Sequence, residues 1–421
     1  MDVGGAPLSL RPQPADLETI VLGPSRQVAL LRTRPAADAL RDHPRFESIE
    51  IFHLVGRVRL DGRSDLEARL ADRVRIDLAN ATDARLCLAA YVAWGERCLD
   101  HLAGDFSFAI WNERDRRLFS ACDQLGKRSL FHGRRGALVA VGSSIDFVAE
   151  ICAPDRDLDD CWIADFLSLN FSREFERTAY RDVRRLGPGR AIAWQQDREA
   201  PEIRRYWQLD IAEPLFLPRK ADYLERFRDL TMRSIADRMP RGPVGIALSG
   251  GLDSGALAAC AVRVASDPRR VVAYCEHYER MMDIREDTFA GMTAQRLGID
   301  LKIEPYDDLV YDPQWQSRGW RPAEPLELVL NAEPLRRLND RLAARATTWL
   351  EGEGPDNALE LDRDPYLGWL RGRGAWGRLA ATLFDYARVK GVAGWLQTLK
   401  RHGGFDEAAE GYDFHPPWIG A

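Results

Sequence analysis

The feature that most limits how this chain can fold is an unbroken alternation of elements in its second half. Helical periodicity covers about 222–238, 254–266 and 287–297, and short apolar runs that read as strands occupy 243–248, 271–278 and 300–304. Strands separated by helices of that length cannot pair through tight turns, so they are expected to lie parallel with helices on both faces of the sheet. In open sheets of this kind ligands bind beyond the carboxyl ends of the strands. The first of these strands ends at Leu248, and there the sequence reads Ser249-Gly250-Gly251-Leu252-Asp253-Ser254 before the next helix.

Glycines at that point let backbone N–H groups approach an anion, and the following helix aims its positive end at the same place. Ser249 and Ser254 add hydroxyl donors, so the loop suits a phosphate or pyrophosphate. It is not a GxxxxGK[ST] loop, because no Lys follows and the glycines are spaced differently. Asp253 adds a carboxylate able to hold a divalent cation against phosphate oxygens. A second segment, TWLEGEGPDNALE at 348–360, gathers Glu351, Glu353, Asp356 and Asn357 on a loop interrupted by Gly and Pro. Alone it would read as a solvated acidic turn. Beside a phosphate loop it becomes a candidate metal and acid/base site.

The first half has a different pattern. IEIFHLVGRVRL (49–60), FSFAIWNERDRRLFSAC (106–122), ALVAVGSS (137–144) and GRAIAWQQ (189–196) are strand-like, with turn residues between them. DARLCLAAYVAWGERCLDHL (83–102) reads as a helix with Leu86, Leu88, Tyr91, Trp94 and Leu99 near one face. This predicts an α+β domain with antiparallel sheets over 1–207, a proline-bearing linker over 208–221, and an α/β domain over 222–421. A chain of 421 residues is too long for one ordinary core.

The net charge of -6 argues against a general nucleic-acid surface. No run reaches the ~18 apolar residues of a membrane helix, and the N-terminus lacks the pattern of a secretory signal. The seven cysteines, at 87, 98, 122, 152, 161, 260 and 275, form no CxxC pair and have no clustered His beside them. Reduced, largely buried thiols and a cytoplasmic location are the expectation.

SGGLDS resembles the PP-loop of ATP pyrophosphatases. Paired with Gly352-Glu353-Gly354-Pro355-Asp356-Asn357 it resembles the asparagine synthetase family, whose synthetase domain carries SGGxDS and, further along, G-E-G-x-D-E. DIREDTFAGMTAQRLGI (283–299) is similar to the family's helix after the second strand. LAGDFSFAIWNERDRRLFSACDQLGKRSLF (102–131), VGSSIDFV (141–148), TAYRDVRRLGPGRAIAW (178–194) and RRYWQL (204–209) follow its glutaminase-type domain in order. The resemblance implies an Ntn-hydrolase-like sandwich followed by a PP-loop domain that uses ATP and Mg²⁺. It implies Asp253 and Asp356 as Mg²⁺ ligands, and Glu353 together with Asp253 at the catalytic centre. Ser249, Gly250, Gly251 and Ser254 would hold pyrophosphate, with Ala247 and Gly352 against the adenosine, largely through backbone atoms.

The sequence also departs from the family pattern. Glutamine-using members carry Cys directly after the initiator Met, whereas here Asp2 follows Met1 and the first cysteine is Cys87; VGRVRLDG (55–62) stands where an Asn-Gly-Glu segment is expected. No glutaminase activity is therefore expected. Relatives without that Cys include β-lactam synthetases and lasso-peptide macrolactam cyclases, which use an amine already within the substrate; GEGPDNAL and YERMMDIRED lean toward the lasso type. The PP-loop domain reads as C-terminally truncated, with another chain as one way to complete it. LGWLRGRGAWGRLAATLFDYARVKGVAGWLQTLKR (367–401) reads as amphipathic helix with Trp369, Trp376, Leu379, Leu383 and Trp395 toward a core and Lys390 and Lys400 solvated.

The expected function is an ATP-dependent, amide-forming ligase that activates a carboxylate as an acyl-adenylate and releases pyrophosphate. Its carboxylate is that of a small molecule or a peptide, and the expected partners are a precursor peptide, a leader-binding protein or a second copy of the chain, with no nucleic acid and no membrane. The alternative is a degenerate or truncated member that binds nucleotide or a partner without turnover. A tRNA-modifying PP-loop enzyme fits less well with the net acidity and the glutaminase-like first half.

Overall fold

A computed structural model describes residues 18–22, 28–32 and 45–388, apart from 156, 196–197, 199, 211–214, 282–284, 308, 310, 318–321, 326–329, 356–362 and 386. The first half contains β1 (Glu18–Leu22), β2 (Val28–Arg32), β3 (Arg45–Ile49), β4 (Phe52–Leu60), α1 (Arg63–Leu70), α2 (Asp83–Trp94), β5 (Gly104–Asn112) and β6 (Arg117–Cys122). It continues through β7 (Phe131–Arg135), β8 (Leu138–Gly142), α3 (Ile145–Cys152), α4 (Asp160–Leu169), β9 (Val183–Arg185), β10 (Arg190–Gln195) and β11 (Glu202–Arg205). Two sheets result, in the orders β2-β1-β8-β7-β9 and β11-β10-β6-β5-β4-β3, with every pairing antiparallel.

Period-two burial assigns each face. Leu54, Val58, Phe106, Phe108, Ile110 and Phe119 pack under α2, while the alternate residues Val55, Ala109 and Leu118 meet Val139 and Val141 of the other sheet. α3 covers the far side of that second sheet through Phe147 and Val148, against Phe131 and Ala140. The layers run helix, sheet, sheet, helix, as expected for an Ntn-hydrolase-like sandwich.

Local readings needed correction. The run at 49–60 is two strands, because Glu50 turns the chain with φ 52° and β3 folds back on β4. The helix expected over 83–102 ends at Trp94, where Gly95 takes φ 59° and a 3-10 turn follows. The short helices α1, α3 and α4 carried too few turns for a periodic signal.

The second half contains α5 (Lys220–Arg238), β12 (Val244–Ala247), α6 (Leu252–Ala265), β13 (Val271–His277), α7 (Glu286–Leu297), β14 (Asp300–Pro305), α8 (Ala332–Ala343), β15 (Thr348–Leu350) and α9 (Arg363–Gly372). Its sheet has the order β14-β13-β12-β15 with all pairings parallel. The α/β architecture read from the alternation is present, with β12 at an interior position. Val244, Ile246, Val271 and Ala273 of the sheet pack against Ala258 and Ala261 of α6 and Ala290 and Ala294 of α7. Small helix residues bring the helices close to the strands. At Gly245 an added Cβ would lie 2.2 Å from the Trp349 ring, so that glycine admits the indole. α9 buries Leu367 and Leu370 and leaves Trp369 36% exposed; beyond it Trp376 is 62% exposed while Leu379 and Leu383 are half-buried, so the two tryptophans expected in the core there are not part of it. Trp395, Lys390 and Lys400 lie outside the described residues.

Polar contacts join the halves. Arg238 donates to Asp105 at 2.9 Å and to Asp61 at 3.2 Å, and Arg59 donates to both as well. Burial works to raise the Asp105 carboxyl, but hydrogen bonds from Arg238 and Arg59 outweigh it and hold it below the ordinary aspartate value. The Ala179 amide donates to Glu324 at 2.8 Å, and the Tyr180 hydroxyl donates to the Ala323 carbonyl. No helix among the described residues is long and apolar enough to cross a membrane.

Candidate active site

β12 and β15 are parallel neighbours, with Ile246 opposite Leu350, so their carboxyl ends open side by side. The loop after β12 is Leu248–Gly251, and the loop after β15 begins at Glu351. Pairing of these strands brings together two motifs that are remote in sequence. A cleft of about 350 Å³ lies between them. Ala247, Ser249, Gly251, Asp253 and Ser254 line it from the first side, and Gly352 and Glu353 from the second.

The first loop is tied to the start of α6. The Ser249 amide donates to Ser254 Oγ at 3.2 Å, the two hydroxyls lie 3.1 Å apart, and the Gly251 amide reaches Ser249 Oγ at 3.4 Å. Gly251 is the N-cap, so the first amides of a 14-residue helix face the cleft. Gly250 takes φ 78°, and a Cβ there would stand 2.5 Å from Cβ of Phe289. That glycine therefore serves α7, which backs the loop, and does not itself line the cleft. Ser254 is buried, whereas Leu252 projects outward with 92% exposure.

Gly352 closes the other side. A Cβ on it would come within 2.8 Å of the Ser254 nitrogen, so the two loops touch backbone to backbone. Asp356 and Asn357 lie outside the described residues.

Three lining residues were not anticipated from the sequence: Tyr274 and Glu276 on β13, and Glu286 at the start of α7. Tyr274 is held by an edge contact with Trp349, ring centroids 5.3 Å apart, and its carbonyl accepts from the Leu248 amide. Burial, then the charge of Glu286, and then those of Glu351 and Glu353, push the Glu276 carboxyl above the ordinary glutamate value. The rule placing ligands at strand carboxyl ends would have pointed to Glu276, since it lies near the end of β13. Nothing local in the sequence brings Glu286 to the cleft.

Hard oxygen donors, backbone amides and a helix N-terminus around one cleft suit a polyanion with a divalent cation. Among the described residues no three His, Cys, Asp or Glu side chains stand close enough to enclose a metal alone.

Comparison with known proteins agrees with this geometry. The family model described as a glutamine amidotransferase domain matches residues 63–207, and the asparagine synthase model matches 226–359. Asparagine synthetase [glutamine-hydrolyzing] 3 of Bacillus subtilis is 30% identical over 216 residues, 50% of this chain and 34% of that protein. A putative asparagine synthetase [glutamine-hydrolyzing] of Mycobacterium bovis is 33% identical over 204 residues, 47% of this chain and 30% of its own length. Amidase chry2 of Gibberella zeae is 23% identical over 290 residues, 65% of this chain and 42% of its own. The matches thus span between 30% and 42% of these curated relatives. With the amidotransferase and synthase domains matched in order, and the SGGLDS loop set against Gly352 by the strand pairing, the chain belongs to the asparagine synthetase family.

Proposed function

We propose that the chain activates a carboxylate with ATP, forming an acyl-adenylate and pyrophosphate, for attack by an amine. The observation that carries this reading is the contact of the two loops across the ends of β12 and β15, which sets the Ser249–Ser254 donors and Asp253 opposite Gly352 and Glu353. The amides of Gly251 and the first turn of α6 hold the phosphate end, and the two serine hydroxyls complete the cradle. Mg²⁺, held by Asp253 and, by the family resemblance, Asp356, would neutralise phosphate charge and so help pyrophosphate leave. Glu353 faces the same cleft and is suited to orient the incoming amine and take its proton.

The amine is not expected to come from glutamine on this chain. Five of its cysteines, Cys87, Cys98, Cys122, Cys152 and Cys275, are buried. Burial pushes their thiols well above the ordinary range, the reverse of what a nucleophile needs. In β4, where a glutamine-holding segment is expected, Arg59 is committed to Asp61 and Asp105. A substrate that carries its own amine, as in β-lactam synthetases and lasso-peptide cyclases, needs no ammonia source, and proximity supplies the attack. A precursor peptide, a leader-binding protein or a second copy of the chain remain the proposed partners, and the cytoplasm the proposed location.

The test is ATP–pyrophosphate exchange with aspartate and with a peptide carboxylate as acceptors, comparing wild type with Asp253→Ala. Loss of exchange by about a hundredfold or more is expected for the variant. Exchange at the wild-type rate in Asp253→Ala would remove the site assignment.

A further inference from the structure

α5 is long for what it buries. Of its 19 residues Ile235 is the one buried, in the core shared by β12 and α6. Tyr223, Phe227 and Leu230 follow one another at i, i+4 and i+7, so they stand in a row on a single face, with Leu224 beside them. All four are between 40% and 58% exposed. Leu215 and Phe216, also exposed, extend the row below the helix. The Tyr223 hydroxyl fixes them there, donating to the Leu215 carbonyl at 3.1 Å and accepting from the Leu217 amide at 2.7 Å. Single apolar residues on a surface are ordinary, whereas a contiguous apolar row on one helix face marks a surface that something covers.

The place where the described chain ends points to the occupant. The Arg378 guanidinium lies 3.5 Å over the Phe216 ring, which sets the helical stretch 376–385 beside the foot of α5. Trp376 and Phe384 in that stretch are exposed as well. Arg388 comes ten residues after Arg378, roughly 15 Å at the helical rise, and the next four residues reach at most about 14 Å further. The chain beyond Arg388 therefore starts within reach of the row. Its next apolar residues, Val392, Trp395, Leu396 and Leu399, are spaced i, i+3, i+4 and i+7. That pattern and the one from Tyr223 to Leu230 both cover seven residues, roughly 10 Å of helix, so two faces of equal length can pair.

We propose that the exposed face of α5 is the docking surface for residues 392–399 of the same chain, with Trp395 as the anchor against Phe227. Pairing takes both apolar rows out of water, and the indole supplies the largest single area to bury. Ile235 ties α5 to α6, so the docked segment braces from behind the helix whose first turn forms the phosphate cradle. The inference does not depend on which carboxylate the cleft activates.

The experiment uses the full chain with p-benzoylphenylalanine in place of Phe227, an exposed position that folding tolerates, irradiated and mapped by mass spectrometry. A cross-link within one chain, into the peptide that contains 392–399, is expected. A cross-link joining two chains would make the face a contact between copies and overturns the proposal, as does one to any other part of the chain or none. Hydrogen exchange supplies the second arm. Trp395→Ala is expected to speed exchange across 223–235 by about tenfold or more and to leave the sandwich strands at 106–122 as they are. Unchanged exchange over 223–235 overturns the proposal, and so does acceleration that is equal in 106–122, since that reports general destabilisation in place of a lost contact.

Discussion

Gly352 lies so close to the backbone nitrogen of Ser254 that a methyl group on it would come within 2.8 Å. The atom it would strike is main chain at the first turn of α6, which cannot rotate away as a side chain could. Gly352→Ala is therefore expected to push the acidic loop off the SGGLDS loop. Calorimetry with α,β-methylene ATP and Mg²⁺ should show affinity lower by about tenfold or more. The cost in global stability should stay near the ~1–3 kcal/mol of an overpacked site, read from a urea midpoint. Unchanged nucleotide affinity would mean that the contact does not shape the cleft.

Ammonia release from glutamine should be undetectable with this chain. Cys161 is the exposed cysteine, on the first turn of α4, and Cys260 is half-buried in α6. Neither lies among the residues between the two sheets of the sandwich. Glutamate production above a no-enzyme blank, abolished by a Cys→Ser substitution at one of the seven positions, would show that a thiol here is activated after all.

The pH dependence of folding should carry the signature of His132. It is 9% exposed between the sheets, beside Trp194, and burial, with the charge of Arg184, lowers its pKa to about 4. The unfolded chain takes up that proton near pH 6.5 and the folded chain only near 4, so stability falls as pH drops through that window and this contribution levels off below it. A lowering of that size is worth about 3 kcal/mol across the window. His132→Leu should flatten the urea-midpoint profile between those two pH values. An unaltered slope in the variant would place the titration elsewhere.

Much of the fold and part of the site could be read in advance, and the division has a physical basis. The helices and strands from Lys220 to Pro305 fell close to their expected bounds because apolar periodicity and a Gly-rich strand end are local signals. β15 was not foreseen, since its three residues follow a helix and lack a period of their own. The turn at Glu50 likewise breaks a run whose composition is strand-like throughout.

The amino-acid sequence by itself determined that a phosphate loop with a carboxylate follows an apolar strand, and that an acidic loop comes later, because both depend on residue types at adjacent positions. Only the tertiary structure decided that the two meet, through the pairing of β12 with β15, and that Gly250 serves α7 while Gly352 admits the first turn of α6. It alone set Glu276 and Glu286 on the wall facing that loop. Strand order and helix packing join residues distant in the chain, and no local pattern encodes those contacts.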